Sequence, residues 1–286
     1  MKSKISHFFE NFWEVINRPE MAILPGQLAF FFVLSVVPII TLIAYGASFL
    51  NLSFEFVTEF LSEIFSTEIA NMIVPVSVDI NISIQVVISL IIAFFIASNG
   101  AASMIVTSNS IYGIKNSNFV KRRIKSLVMT SIMVLLFIFI LIVPLFGNKI
   151  INLLQYAEFD TKTVDSVLFA FKVLQGPVSW FVMLIFIKLL FTMAPDRKID
   201  STRVNYGAIF TTVFWVITTS IYSYYIANFA RYDVFYGGLA NIAILMLWVY
   251  FLAYMFVIGM ALNHKEEVEL EKTGQINLMI NDNNKK

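Results

Sequence analysis

The sequence predicts an all-α integral membrane protein: a bundle of six transmembrane helices, both termini cytoplasmic, with amphipathic helices lying in the interface. Three observations predict it. Hydrophobic residues make up 58% of the chain and charged residues 14%, where a soluble domain carries roughly 25% charged residues; the mean hydropathy is +0.79. The apolar residues also form long continuous runs rather than short alternating ones. About 20 such residues cross a hydrocarbon core as a helix, and without water the backbone must satisfy its own hydrogen bonds in helices or a closed barrel. Finally, Lys and Arg are distributed unevenly between the loops.

The runs place spans at about 27–50, 82–114, 126–147, 166–193, 204–229 and 238–263. Sixteen Lys and Arg then flank one face, among them Arg18, Lys121, Arg122, Arg123, Lys125, Arg197, Lys198, Arg203 and Lys265, against four on the other: Lys149, Lys162, Lys172 and Arg231. The excess marks the cytoplasmic side and sets both termini there. Residues 1–264 read as one polytopic membrane domain and 265–286 as a frayed, solvated cytoplasmic tail. Met1 to Asn17 lacks the compact apolar stretch and small-residue cleavage site of a removable leader, so the first span is expected to be retained.

Two stretches outside the spans are amphipathic. Within 1–17, Phe8, Phe9, Phe12, Trp13 and Ile16 recur at helical spacing opposite Lys4, Glu10, Asn11 and Glu14, which suits a helix in the interface. Between the first two spans, Val57, Phe60, Leu61, Ile64 and Phe65 oppose a stripe of Glu55, Glu59 and Glu63. That stripe reads as a solvated face in preference to a cation-attracting collar.

Several chemistries are excluded or left without residues. With no Cys there are no disulfides, thiolate metal sites or Cys nucleophiles. No Asp or Glu lies in the middle of a span, which argues against a proton relay or a carboxylate-based antiporter. Lys188, the one clear basic residue within a span, is close enough to its end to snorkel. The two His, His7 and His264, are far apart, and no hydrolase, metalloprotease or phosphate-loop motif appears. The chain therefore reads as a non-enzyme with no catalytic residues, no metal site and no cofactor. A net charge of +1 without a basic domain gives no footprint for nucleic acid.

What remains is polar and uncharged. The second run is longer than one crossing requires and contains Ser98-Asn99-Gly100, with Asn109 and Tyr112 near its end. Two structures fit: a broken helix whose exposed backbone and Asn99 contact a ligand, or one long tilted helix whose small residues admit a neighbour while its Asn side chains bond across helices. The second is preferred. As ligand contacts, Asn99 and Asn109 come first, then Tyr112, with Ser98 and Asn241 completing the set. Arg231, Tyr232 and Tyr236 are candidate headgroup contacts at the other face. Expected partners are membrane lipids and a small or amphiphilic solute, with a homo-oligomer left open.

Five segments in order also resemble the YihY/BrkB family of bacterial inner-membrane proteins, once labelled ribonuclease BN. They are Leu28 to Ser35 with Pro38; Asn109 to Gly113 followed by Lys121-Arg122-Arg123; Ala194-Pro195-Asp196-Arg197-Lys198; Asn228-Phe229-Ala230; and Tyr236 to Leu239 with Leu247-Trp248-Val249-Tyr250. The chain departs from the family pattern at Asn99, where an Arg is common, and at Ala261, where a Glu is common. A mechanism resting on that pair does not carry over. The resemblance implies a multi-pass protein of the bacterial plasma membrane, linked in some members to virulence or envelope resistance. It brings no settled activity, and the nuclease label finds no support in these residues. The leading expectation is a transporter or lipid-handling protein; the alternative is a non-transporting structural or accessory envelope protein.

Overall fold

Apolar segments fold where their backbone groups can pair internally, and the described elements are all helical. The computed structural model describes residues 12–49, 58, 84–136, 177–178, 180–229 and 238–283, with side chains other than those of 47–49, 226–229, 238–242 and 270–283. Among the described residues six helices of eight or more residues emerge: α1 Leu24–Phe49, α2 Ile84–Ile111, α3 over 119–136, α4 Trp180–Met193, α5 Asn205–Phe229 and α6 Gly238–Asn283. Each falls on one of the six runs.

Three segments are long and apolar enough to cross a membrane, Pro19–Gly46, Ile84–Ile111 and Ala243–Glu269, and Trp180–Met193 is a shorter apolar helix. For the rest, residues 137–147 of the expected third span and 166–176 of the expected fourth lie outside the described residues. α5 has the length, but Thr211, Thr212, Thr218, Thr219 and Ser220 lower its hydropathy.

α1 packs along α2, α5 along α6, and α6 along α1. The core between them is built from Leu28, Met104, Ile105, Ile187, Phe191, Phe256, Ile258 and Met260. Phe191 and Phe256 meet with ring centroids 4.7 Å apart, tying α4 to α6.

α2 is one uninterrupted helix through Ser98-Asn99-Gly100, so the broken-helix alternative does not hold. Each of the three residues has a local use. Ser98 Oγ donates to the carbonyl of Phe95 at 2.7 Å. Asn99 accepts a bond from α3, described below. The Gly100 amide donates to Ser35 Oγ of α1 at 3.0 Å, and a β-carbon there would stand 3.0 Å from that oxygen. The polar interruption is a contact point between helices.

α5 and α6 run antiparallel, joined by a ladder at four-residue steps. The Gly207 amide donates to Asn263 Oδ1 at 2.6 Å, Thr211 Oγ1 to the Met255 carbonyl at 3.4 Å, and Trp215 Nε1 to the Leu252 carbonyl at 2.8 Å. Trp248 Nε1 then donates to Thr219 Oγ1 at 3.4 Å. Small residues let the helices approach closely enough for such bonds.

One expectation changes. The tail does not fray at His264: α6 continues to Asn283, so its 46 residues extend about 69 Å. Within that stretch Glu267 is buried and Lys265 is paired with Glu14. In the N-terminal segment the described residues 12–16 are helical. Its inward face holds Phe12, Val15 and Ile16, with Phe12 and Phe210 rings 5.9 Å apart, while Trp13 is exposed. The acidic stripe of Glu55, Glu59 and Glu63 lies outside the described residues.

Candidate functional site

Polar and charged side chains converge at one end of the bundle, where α2, α3, α4 and α6 meet, here termed the basic end. A buried carboxylate organises its first part. Asp196 follows α4, and Pro195 bars that helix from continuing. Its side chain is 6% exposed and receives the Ser117 amide at 3.0 Å, Asn109 Nδ2 at 2.8 Å and Lys125 Nζ at 3.0 Å. Asn109 closes the ring in return, accepting the Asp196 amide at 2.8 Å and donating to Asn116 Oδ1 at 2.9 Å. Lys125 also donates to the carbonyls of Ala194 at 2.8 Å and Pro195 at 2.6 Å.

Burial alone would raise the pKa of Asp196. The bonds from the Ser117 amide, Lys125 and Asn109 outweigh it and hold the carboxyl well below the usual range. Asn109 is thus engaged at both ends of its amide in a structural knot, which is the cross-helix role given to Asn in the preferred reading of α2.

The second part centres on Glu267, which takes Arg197 on one oxygen and Arg203 Nη1 on the other at 3.1 Å. The Arg197 guanidinium also lies over the Tyr112 ring at 5.2 Å, and Tyr112 meets His264 edge-on at 5.2 Å. Tyr112 is thereby placed inside the bundle, with its hydroxyl buried and unpartnered among the described residues.

The third part is Arg123. From near the start of α3 it reaches back to α2, donating from Nη1 to Asn99 Oδ1 at 2.9 Å and from Nη2 to the Phe95 carbonyl at 2.8 Å. Its guanidinium stacks over the Phe95 ring, 3.4 Å from the centroid.

The sequence candidates therefore separate. Asn99 and Ser98 sit beside Arg123, whereas Asn109 and Tyr112 belong to the two clusters farther along α2. Asn241 lies on α6 among the residues whose side chains are not described, and Arg231, Tyr232 and Tyr236 lie outside the described residues. Sequence reasoning missed Asp196, Glu267 and Arg123, which it had assigned to loops and tail. It also missed Ser103, Thr107 and Ser108, buried on α2 with hydroxyls that have no partner among the described residues. Their signal was present, since Ser and Thr recur through an otherwise apolar run. Among the described residues no group of three His, Cys, Asp or Glu could hold a metal ion.

Comparison with known proteins places this arrangement. The chain is 31% identical over 168 residues to "Putative ribonuclease-like protein YfkH" of Bacillus subtilis, covering 58% of this chain and 60% of that one. It is 30% identical over 104 residues to the UPF0761 membrane protein IL2447 of Idiomarina loihiensis, covering 35% and 37%. A UPF0761 membrane protein of Alteromonas mediterranea is 39% identical over 62 residues, 22% of this chain and 21% of its own. The matched stretches thus span less than two thirds of each of these relatives. No solved structure matches. The family model described as "Virulence factor BrkB" matches residues 12–277, from the first described helical turn to near the end of α6, and the chain is a membrane protein belonging to that family.

Proposed function

We propose that the protein is a transporter or lipid-handling protein of the bacterial plasma membrane for a small or amphiphilic solute. In this reading it crosses the bilayer six times, keeps both termini and the basic end in the cytoplasm, and catalyses no reaction. The observation that carries it is the polar interior of α2. Ser103 Oγ, Thr107 Oγ1, Ser108 Oγ and Tyr112 Oη are all buried without a partner among the described residues, as is Asn263 Nδ2. The four-residue steps from Ser103 to Thr107 and from Ser108 to Tyr112 make two short hydroxyl ladders. A buried hydroxyl left unpaired costs about 1–3 kcal/mol, so a set of them fits an interior that takes up water or the polar part of a solute.

The chain has no native Cys, which makes the test direct. Single cysteines at Ser103, Thr107 and Ser108 are treated with a membrane-impermeant thiol reagent from the basic end. Labelling is expected; complete protection, with loop controls labelling normally, would count against a hydrated path. Proteoliposomes tested with fluorescent lipids and a solute panel then examine movement itself.

A structural or accessory role is the second reading, favoured by the tight α5–α6 ladder and the closed Asp196 knot. It predicts protected cysteines and stable co-purifying proteins. Ribonuclease activity belongs to neither reading. The word appears in the name of YfkH, but His264 of this chain faces the Tyr112 ring, and the described residues offer no acid cluster for a metal.

A further inference from the structure

A stripe of exposed apolar side chains on α2 ends at a guanidinium that no carboxylate among the described residues neutralises. Ile84, Ile88, Ile91, Ile92 and Phe95 follow at three- and four-residue steps, so they share one face of the helix, and the least exposed of them, Phe95, is still 51% exposed. Four residues farther on the same face lies Asn99, and beside Asn99 and Phe95 sits Arg123. Beyond that level α2 turns inward: Ala97, Gly100, Ala101, Met104 and Ile105 are buried. The stripe and Arg123 therefore meet where α2 enters the bundle.

Arg123 differs from its neighbours in what holds it. Lys125, Arg197, Arg203 and Lys265 each face a carboxylate. Among the described residues the contacts of Arg123 are neutral: the Asn99 amide oxygen, the Phe95 carbonyl and the Phe95 ring. Among the described residues no acid pairs with it. An unpaired cation beside hydrocarbon is costly, and a guanidinium already fixed in orientation is prepared for an oxyanion. Lys121, two residues earlier, is exposed, and exposed basic side chains suit the headgroup layer. Asn99 and Phe95 turn the Arg123 charge toward the apolar stripe.

We propose that this flank is a binding site for an anionic phospholipid, its phosphate on Arg123 and an acyl chain along Ile92, Ile88 and Ile84. The site deepens the lipid-handling reading by naming a lipid class, yet binding and movement fail separately. A protein that prefers the anionic lipid but moves nothing keeps the site and loses transport.

The full chain is purified in detergent with equal phosphatidylglycerol and phosphatidylcholine, and retained lipid is counted by native mass spectrometry. Wild type is expected to retain phosphatidylglycerol about fivefold over phosphatidylcholine, the scale set by one basic side chain at a membrane surface. Arg123→Gln abolishes the preference, Arg123→Lys keeps part of it, and Arg122→Gln leaves it intact. Ile88→Ser with Ile92→Ser lowers retention of the lipid with Arg123 in place. Equal retention of both lipids by wild type overturns the site without any variant, as does an undiminished preference in Arg123→Gln. Displacement of the lipid by millimolar inorganic phosphate would overturn the lipid assignment and leave a soluble anion as the ligand.

Discussion

The backbone carbonyl of Gly259 occupies the place a β-carbon on Gly207 would need, 2.0 Å from it. The converse is nearly as tight, since a β-carbon on Gly259 would stand 2.1 Å from Thr211 Oγ1 and 2.9 Å from the Gly207 carbonyl. At Gly207 the obstacle is backbone, which no rotamer change relieves. Gly207→Ala is therefore expected to push α5 off α6 and stretch the bond from the Gly207 amide to Asn263. Overpacking of this kind costs about 1–3 kcal/mol. Thermal denaturation in detergent checks it, and an unchanged midpoint would show that the helices separate freely.

Farther along the same interface, Trp215→Phe keeps the ring and removes the donor to the Leu252 carbonyl. The expected loss is about 1 kcal/mol. Because the two sites lie on one ladder, the double variant with Gly207→Ala should cost less than the two separate losses together. Strict additivity in the same melting experiment would contradict a shared interface.

Acid should release the basic end through Asp196. Its folded carboxyl is held below the usual range, so its stabilisation is fully present above the unfolded value of about 3.9 and fades as pH falls toward the folded value. The melting midpoint should be level from pH 8 to pH 5 with respect to this group and decline below about pH 4. Asp196→Asn should remove that part of the decline and lower stability at neutral pH by about 3 kcal/mol, leaving Lys125 against two carbonyls without its counter-charge. A decline of the same size in the variant would assign the acid sensitivity elsewhere.

Glu267→Gln should loosen the end of α6 more than Arg203→Gln does, because it leaves two guanidinium groups without their acid. Arg203 is 44% exposed and half-solvated, and exposed pairs contribute about 0.2–1 kcal/mol. Hydrogen exchange along 260–270 reads the difference. Equal protection in both variants would mean that the pairs do not secure the helix.

The helices were legible because the apolar runs are long and continuous, and three of the described segments are long and apolar enough to cross a membrane. The continuity of α2 was legible too, since Ser98, Asn99 and Gly100 have small or compact side chains that a neighbour can meet. Arg123 was not legible. In sequence it belongs to a basic cluster with Lys121 and Arg122, and only the fold of α3 against α2 carries it to Asn99, 24 residues earlier. Glu267 escaped for the opposite reason. Its alternation with Lys265 and Lys272 has the pattern of a solvated end, and pattern gives no sign that α6 carries it back against Arg197.

The Asn109–Asp196 knot also has a meaning in time. Its two residues are separated by 87 positions, and synthesis proceeds at about 5–20 residues per second. For roughly 4 to 17 s after Asn109 is made, Asp196 does not exist. During that interval Asn109 has Asn116, seven residues on, as its partner, and Lys125 waits almost as long for the loop after α4. Asn109, Ser117 and Lys125 are thus fastened backward from the loop after α4, and a chain that stops before Asp196 lacks the carboxylate that joins them.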